Sequence, residues 1–308
     1  SETDLIHGPT TLRLLDLPIQ LGSDAATVVA LASGVEGGWR QAAITFSRDG
    51  GATWQEAGRT ADPAAIGRSL TALGAAGSAL LDLRGSVDVE LLSEAQTLAS
   101  CPDAALAGGA NLAMLGGELL QFGSAEPLGG KRYRLSRLLR GRRGTEWAAA
   151  HAADEPFALL AAETMLPLDM TGIAPGATVI AVAAGIGDPV EGARAELVLA
   201  AEALRPPPPV HLRAAQEADG ALAVSWVRRS RLGGAWASGG DAPLGEESEV
   251  YLATVAGGGA SRTFTLAAPA FVYPAAERQA DGISYPVTIT VSQVGTHAAS
   301  RPATLAFG

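Results

Sequence analysis

The sequence predicts a mainly β protein: two β-rich modules, sandwich- or barrel-like, followed by a β-sandwich. Hydrophobic residues make up 47% of the 308 residues, enough to build buried cores, and 38 glycines and 18 prolines mark many turns. Apolar and polar residues alternate in short segments, as they do in half-buried strands. Residues 206–209 are four consecutive prolines, which cannot continue a helix or a sheet interior and therefore mark a boundary.

Strands account for most of the chain before the prolines. Apolar or alternating segments bounded by Gly, Pro or Asp indicate these strands. They lie at residues 12–17, 26–32, 43–47, 52–54, 87–92, 112–122, 133–139, 157–161 and 179–183. Two helices are also predicted, at residues 62–73 with Pro63 in the first turn and at the alanine-rich residues 147–153.

These elements group into three domains. We expect a β-rich domain at residues 1–85, a β-rich module at 86–205 and a β-sandwich at 206–308 after the proline linker. In an alternative arrangement, residues 166–205 complete the first domain, because their predicted strands have a sequence pattern similar to that of the strands near the start of the chain. The segment between them would then be an insertion.

One turn motif lies between two predicted strands of the first domain. Ser47, Asp49, Gly51 and Trp54 follow the pattern Ser-x-Asp-x-Gly-x-Thr-Trp, which predicts a β-hairpin. The Ser and Asp side chains bond backbone groups of the turn, and glycine accepts a positive φ. The motif resembles the Asp box of sialidase propellers, where its role is structural. Because it occurs once, without the period of about 40–50 residues that a propeller needs, we interpret it as a structural turn.

The charge balance argues against a general nucleic-acid-binding protein. Basic residues number 22 and acidic residues 32, for a net charge of −10. Basic residues nevertheless concentrate at 131–143, where seven of thirteen residues are cationic and none is acidic. The predicted assembly or interaction residues are Arg132, Arg134, Arg137, Arg140, Arg142 and Arg143.

The arginines of this segment have three candidate uses. In a strand, Arg132 and Arg134 would share one exposed face, opposite Tyr133, Leu135 and Arg137. The first use is a salt-bridge surface, between subunits or within the chain. The second is contact with DNA or a phosphorylated surface, since Arg suits phosphate geometry, although DNA contact is the weaker expectation. The third is a solvated face without a partner.

Chemistry-bearing residues form no recognisable catalytic or metal site. The four histidines are scattered without metal-ligand spacing, and Cys101 is the only cysteine. His151 lies near Asp154 and Glu155, and we interpret these three polar residues as an exposed turn without function. Glu118 and Glu126 could form a glycosidase couple, but the sequence cannot test their separation. The sequence contains no P-loop and no nucleophile elbow. We therefore expect a protein that is not an enzyme and takes no cofactor or metal.

No membrane span is expected either. The most apolar segment, residues 177–186, is about half as long as the roughly twenty residues that a membrane helix needs. The chain begins at Ser1 without a methionine, so we expect a piece of a longer protein.

The segment after the prolines resembles a fibronectin type III domain. Strands are predicted at residues 221–227, 249–255, 262–266 and 285–294. Residues 222–226 (LAVSW) are similar to the second strand of that domain, with Trp226 in the core. Residues 288–305 (TITVSQVGTHAASRPATL) are similar to its last two strands and the turn between them, whereas residues 228–247 form a long insertion.

Two sequence segments of the predicted module at residues 86–205 resemble a known family. Residues 111–122 (NLAMLGGELLQF) and 133–151 (YRLSRLLRGRRGTEWAAAH) are similar to the C-terminal region of baseplate-hub ("megatron") tail proteins of gene transfer agents and related siphophages. Residues 47–54 and 87–93 fit the same region, so the resemblance extends over residues 1–205. The TIM-barrel-like and hub segments of that family are missing from this sequence.

The resemblance implies a structural role in a tail tip or baseplate. The implied partners are other tail proteins, its own copies in a homo-trimer, and a host-surface glycan or receptor. The implied location is the tail of a virion-like particle, assembled in the bacterial cytoplasm and then extracellular. The alternative function is a carbohydrate-binding or glycan-cleaving module, which the Asp-box motif and four tryptophans suggest. These tryptophans are Trp39, Trp54, Trp147 and Trp236.

Overall fold

A computed structural model describes residues 8–19, 24–232 and 242–308, and Trp236 and His7 lie outside these residues. The prediction of a mainly β protein is confirmed, since 45% of the chain is in strands and 7% in helices. The chain divides into two compact units, residues 1–202 and 203–308, which are described separately.

The first unit consists of strands joined by short turns. In chain order they are β1 (Thr10–Leu17), β2 (Thr27–Gly34), β3 (Ala42–Ser47), β4 (Gln55–Arg59), β5 (Ile66–Ser69), β6 (Asp82–Leu91), β7 (Leu112–Leu115), β8 (Glu118–Gly129), β9 (Arg132–Leu139), β10 (Pro156–Leu159), β11 (Leu166–Leu168), β12 (Thr178–Gly185) and β13 (Ala193–Val198). One short helix, α1 (Asp103–Ala107), precedes β7.

Seven of these strands form two antiparallel sheets. One sheet has the order β1-β2-β11 and the other the order β13-β12-β3-β4. Strand β2 is buried at every position, which agrees with the unbroken apolar residues at 28–32 in its middle. Strands from both ends of the first unit therefore share these sheets, and the segment between β4 and β11 is inserted between them.

The inserted segment is a closed six-stranded barrel with the order β10-β5-β6-β9-β8-β7, completed by pairing of β7 with β10. Side chains that alternate along the strands fill the interior, among them Val87, Leu120, Phe122 and Leu135, none with exposed surface. The barrel begins at β5, so the domain boundary predicted at residue 85 falls inside strand β6.

Both predicted helices are wrong. Residues 66–69 of the first form β5, which pairs with β6 and β10. In the second, only Glu146–Ala148 is helical, as one 3₁₀ turn, and His151 then pairs with Leu73 as an isolated bridge. Closing the barrel satisfies more backbone hydrogen bonds and buries more apolar surface than two isolated short helices would, which overrides local propensity.

The second unit is a sandwich of two antiparallel sheets. Its strands are β14 (Val210–Gln216), β15 (Leu222–Val227), β16 (Tyr251–Gly257), β17 (Ala260–Leu266), β18 (Ala270–Tyr273), β19 (Val287–Gln293) and β20 (Ala303–Phe307), with the short helix α2 (Ala275–Ala280). The sheets have the orders β14-β15-β18 and β17-β16-β19-β20. Trp226 is buried between them, with its ring centre 5.1 Å from that of Tyr251. The Trp226 side chain is therefore core packing.

The helices of the described residues are short, and none is long and apolar enough to cross a membrane.

Candidate functional site

The cationic segment begins on barrel strand β9, whose alternation sets where each side chain points. Tyr133 and Leu135 are buried in the barrel, whereas Arg132 and Arg134 are exposed on its outer face. Arg134 lies directly opposite Asp88 of β6, and its Nε and Nη2 are 2.7 and 2.9 Å from the two carboxylate oxygens. These hydrogen bonds and the Asp88 charge raise the pKa of Arg134. Its charge is therefore compensated within the chain.

Arg137 interrupts the alternation of the strand. It has a φ of 55°, and the next residue, Leu138, points into the core with no exposed surface. The sequence placed Arg137 on the apolar face; instead its guanidinium forms an ion pair with Asp103 of α1. Gly123 makes room for this side chain, because a Cβ there would lie 3.2 Å from the Cβ of Arg137. The left-handed conformation of Arg137 shifts the inward–outward alternation of the strand by one residue, so the Arg137 side chain points outward.

Arg140 does not belong to an exposed surface. Its side chain has no exposed area and forms a bidentate ion pair with Glu118 of β8, which is equally buried, at 3.0 Å from Nε and 2.9 Å from Nη2. It also donates to the carbonyl oxygens of Gly74 and Ala149 at 3.1 and 2.5 Å. The interpretation of Arg140 as an interaction residue is thus corrected. A buried guanidinium needs all its donors satisfied, and here the partners are internal.

His151 continues this buried cluster. Its Nε2 is 2.7 Å from Glu118 Oε2 and its Nδ1 is 2.8 Å from Glu155 Oε2. Both ring nitrogens therefore face a carboxylate, and only the doubly protonated imidazolium can donate to both. Burial alone would lower the pKa of His151, but the hydrogen bonds and charges of Glu118 and Glu155 outweigh it, so the pKa is raised.

Glu118 is the centre of the cluster. Burial alone would raise its pKa, but hydrogen bonds from His151 and Arg140 and the Arg140 charge outweigh burial, so the pKa of Glu118 is lowered. The amide of Gly141 also donates to Glu118, at 2.5 Å, and Asp82 lies 3.5 Å from Arg140 Nη1. Every charged group of the cluster thus has a partner inside the protein. These contacts attach the segment after β9 to the barrel.

The last two arginines occupy the loop just after β9, residues 141–144. Gly141, Arg143 and Gly144 have φ values of 57°, 56° and 87°, which turn the chain tightly. Arg143 is exposed and Arg142 is half-buried, and within residues 8–19, 24–232 and 242–308 neither guanidinium has an ion pair. Lys131 and Arg132 likewise have no ion pair in the described part of the chain, and Lys131 Nζ donates to the Leu92 carbonyl at 3.4 Å.

The Asp-box-like turn joins β3 to β4. Ser47 Oγ donates to Asp49 Oδ1 at 2.7 Å and accepts from the Gly51 amide at 2.8 Å. Asp49 also accepts from the amide and the hydroxyl of Thr53, at 2.9 and 2.6 Å, and these hydrogen bonds lower its pKa to about 2. Trp54 is 45% exposed, with its indole Nε1 3.2 Å from the Gly51 carbonyl oxygen. The turn satisfies its polar groups internally.

Sequence reasoning missed the buried cluster of Arg140, Glu118, His151 and Glu155. The i, i+4 spacing of His151 and Glu155 was visible in the sequence, but Glu118 lies 33 residues before His151. Only the closed barrel brings these positions together.

The comparisons with known proteins bear on the barrel. A family model described as "Rcc01698-like, C-terminal" matches residues 64–158, and its name is one related to gene transfer agents. No curated protein matches the chain. Among solved structures, domains d3–d4 of the rat CD45 extracellular region match at 13% identity over 45% of this chain and 67% of that chain. The TM-score is 0.25, and a likeness at that level carries no argument.

Proposed function

We propose that this chain is a structural component of a phage-like (gene transfer agent) tail tip or baseplate, which contributes to tail assembly and host-surface contact and carries no catalysis in this segment. The observation that supports this proposal most is that the family match and the barrel have nearly the same boundaries. The family match covers residues 64–158, and the closed barrel runs from Ile66 to Leu159. The match therefore describes one complete structural body.

The architecture of the barrel suits a part that acts by its position in a particle. A closed barrel has no free strand edge, so it presents side chains rather than backbone to its neighbours. Its inner charges are compensated by the Glu118–Arg140 pair, and its outer cations Arg132, Arg142 and Arg143 have no ion pair in the described part of the chain. These three arginines, which cluster at the two ends of β9, are therefore available to neighbouring tail proteins or to further copies of the chain.

The second unit supports a spacer or adhesive role. A three-stranded and a four-stranded antiparallel sheet enclose its core, an architecture that fibronectin type III domains share. Such sandwiches are rigid and serve many proteins as extracellular modules. We therefore propose that this unit serves as a spacer or adhesive module in the tail of the particle.

The test uses purified particles from a producing bacterium. The triple variant Arg132→Glu, Arg142→Glu, Arg143→Glu should fold normally by circular dichroism but be lost from tails, as measured by mass spectrometry of the particles. The matched control Arg59→Glu, Arg84→Glu, Arg213→Glu has the same net charge and should be incorporated. Normal incorporation of the first variant would remove the assembly role of these arginines, and absence of the wild-type chain from particles would remove the proposed function.

A second candidate function is binding or cleavage of a glycan, favoured by one observation. Trp54 is 45% exposed on the Asp-box-like turn, and exposed aromatic rings stack on sugars. A glycan array with wild type and Trp54→Ala would test it. Binding lost in the variant supports an adhesive module, whereas hydrolysis of a glycan by the wild type would overturn the non-catalytic proposal.

A further inference from the structure

An acidic cleft of about 450 Å³ opens in the first unit, where the loops after β2, β6 and β10 meet the loop before β5. Glu36, Asp62 and Glu163 lie on its lining, all exposed, and in the described ranges none of their carboxylates has an ion pair. The cation of the lining is Arg40, which donates to the carbonyl oxygens of Gly37 and Trp39. Three carboxylates and one guanidinium give the cleft a formal charge of −2.

One wall of the cleft carries an unsatisfied hydrogen-bond acceptor. The side chain of Gln96 is buried, with 6% of the residue exposed, and its Nε2 donates to Ser33 Oγ and to the Ala64 carbonyl, each at 2.6 Å. Its Oε1 is shielded from solvent and has no hydrogen-bond partner among the described residues. Buried acceptors in proteins are nearly always paired, so this atom indicates a donor that the isolated chain does not supply.

The negative charge and the hydrogen-bond acceptors of the cleft favour a guanidinium group as its ligand. Within the described residues, no three Asp, Glu, His or Cys side chains converge as a metal ion would require. An anionic ligand would be repelled by the carboxylates. A guanidinium carries a positive charge and several donors in a plane, and it pairs with carboxylates through two hydrogen bonds at once.

The same chain presents two such groups at the opposite end of the barrel. Strands β6 and β9 are antiparallel, and the cleft residues 93–97 follow the end of β6, whereas Arg142 and Arg143 follow the end of β9. Because β9 has eight residues, the two features are separated by the length of that strand, about 25 Å. The arginines therefore cannot reach the cleft of their own chain.

We propose that the Arg142–Arg143 loop (residues 141–144) of one copy docks into the acidic cleft of a second copy. This contact deepens the proposed function and rests on it, because it specifies how copies of the chain would meet in a tail. It joins two different surfaces, so it is head-to-tail, and repetition closes into a ring or continues as a filament.

The test is self-association of the purified full chain by sedimentation velocity. Wild type should associate at low ionic strength and dissociate at high salt, since the contact is made by charges. The loop variant Arg142→Glu, Arg143→Glu and the cleft variant Glu36→Arg, Asp62→Arg should each weaken association about tenfold or more. An equimolar mixture of the two variants should associate again, because each reversed surface then meets its complement.

Controls separate this contact from net charge. Arg59→Glu, Arg213→Glu matches the loop variant in charge, and Glu191→Arg, Glu217→Arg matches the cleft variant, and both should associate like wild type. A monomeric wild type at low salt, or no recovery in the mixture, would overturn the proposal. Failure of the proposed function is distinguishable, because it appears as absence of the chain from particles whether or not the purified chain self-associates.

Discussion

Glu118 and Arg140 form a bidentate ion pair inside the barrel, and neither side chain has any exposed area. Arg140 begins the segment 140–155 that links β9 to β10, and its guanidinium also holds the carbonyl of Ala149 in that segment. The pair thus connects a long surface segment to strand β8. We call residues 140–155 the strap, and its attachment governs the position of the Arg142–Arg143 loop that it carries.

Removal of one partner of this pair should destabilise the barrel strongly. Arg140→Met leaves Glu118 buried with its main counter-charge gone, for an expected loss of about 3–5 kcal/mol in the free energy of unfolding. The double variant Glu118→Gln, Arg140→Met removes both charges and should lose less than the single variant. Urea unfolding, monitored by hydrogen exchange of strands β7 to β9, measures the loss of stability in each of the two variants. Arg132→Met, on the exposed face, should change stability by no more than about 0.5 kcal/mol, and an equal loss there would contradict the argument.

The strap should loosen as pH rises. The pKa of His151 is raised in the folded protein, so its contribution to stability is fully present below its ordinary pKa of about 6.5 and is lost as pH rises through the folded value. The deprotonated ring can donate to only one of Glu118 and Glu155. Hydrogen exchange of residues 145–155 should therefore accelerate from neutral to alkaline pH more than the chemistry of exchange alone accounts for.

His151→Gln is the comparison that isolates this effect. Asp16 titrates in a neighbouring range, because burial raises its pKa to about 6, so the informative quantity is the difference between wild type and variant. That difference should favour wild type most between about pH 5 and 6.5 and shrink at higher pH. On the acid side, the lowered pKa of Glu118 makes its contribution present above about pH 4.5 and lost as pH falls. A difference independent of pH would show that His151 is not protonated in the fold.

The sequence predicts the local parts of this structure well. Alternation in β9 is enough to place Tyr133 and Leu135 inside the barrel, and the Asp49 turn is a hairpin between β3 and β4. Each of these two signals is contained within a few neighbouring residues, so it can be read without the rest of the chain.

The buried cluster could not be predicted, because its geometry is non-local. Glu118 and Arg140 are 22 residues apart, and β8 and β9 must pair before they meet. The positive φ of Arg137 shifts the alternation just before Arg140, so a straight extrapolation of the strand places the later arginines on the wrong face. The helix predicted over residues 62–73 fails for a related reason, since β5 gains its partners only from distant strands.

Gly67 should tolerate no side chain. It lies in β5, and a Cβ on it would overlap the backbone carbonyl oxygen of Glu90 in β6, which cannot move without breaking the ladder. Gly67→Ala should therefore destabilise the barrel by about 1–3 kcal/mol, as overpacking does. Urea unfolding measures it, with Gly74→Ala as the matched control, because nothing lies within 4 Å of a Cβ at Gly74. Equal stability of the two variants would show that β5 and β6 do not approach as described.

The Asp-box-like turn should depend on the Asp49 carboxylate rather than on the exposed Trp54. Asp49 accepts from the amide of Thr53 at 2.9 Å and from its hydroxyl at 2.6 Å, so Asp49→Ala leaves both donors to solvent. The Thr53 amide should then exchange faster than in wild type. Asp49→Asn retains one acceptor, so its exchange rate at Thr53 should lie between those of wild type and Asp49→Ala. Because these bonds lower the pKa of Asp49 to about 2, protection in wild type should be complete above about pH 4 and fall only as pH approaches 2. Trp54→Ala should leave the Thr53 amide protected. If it removes protection as fully as Asp49→Ala does, packing of the indole rather than the carboxylate holds the turn.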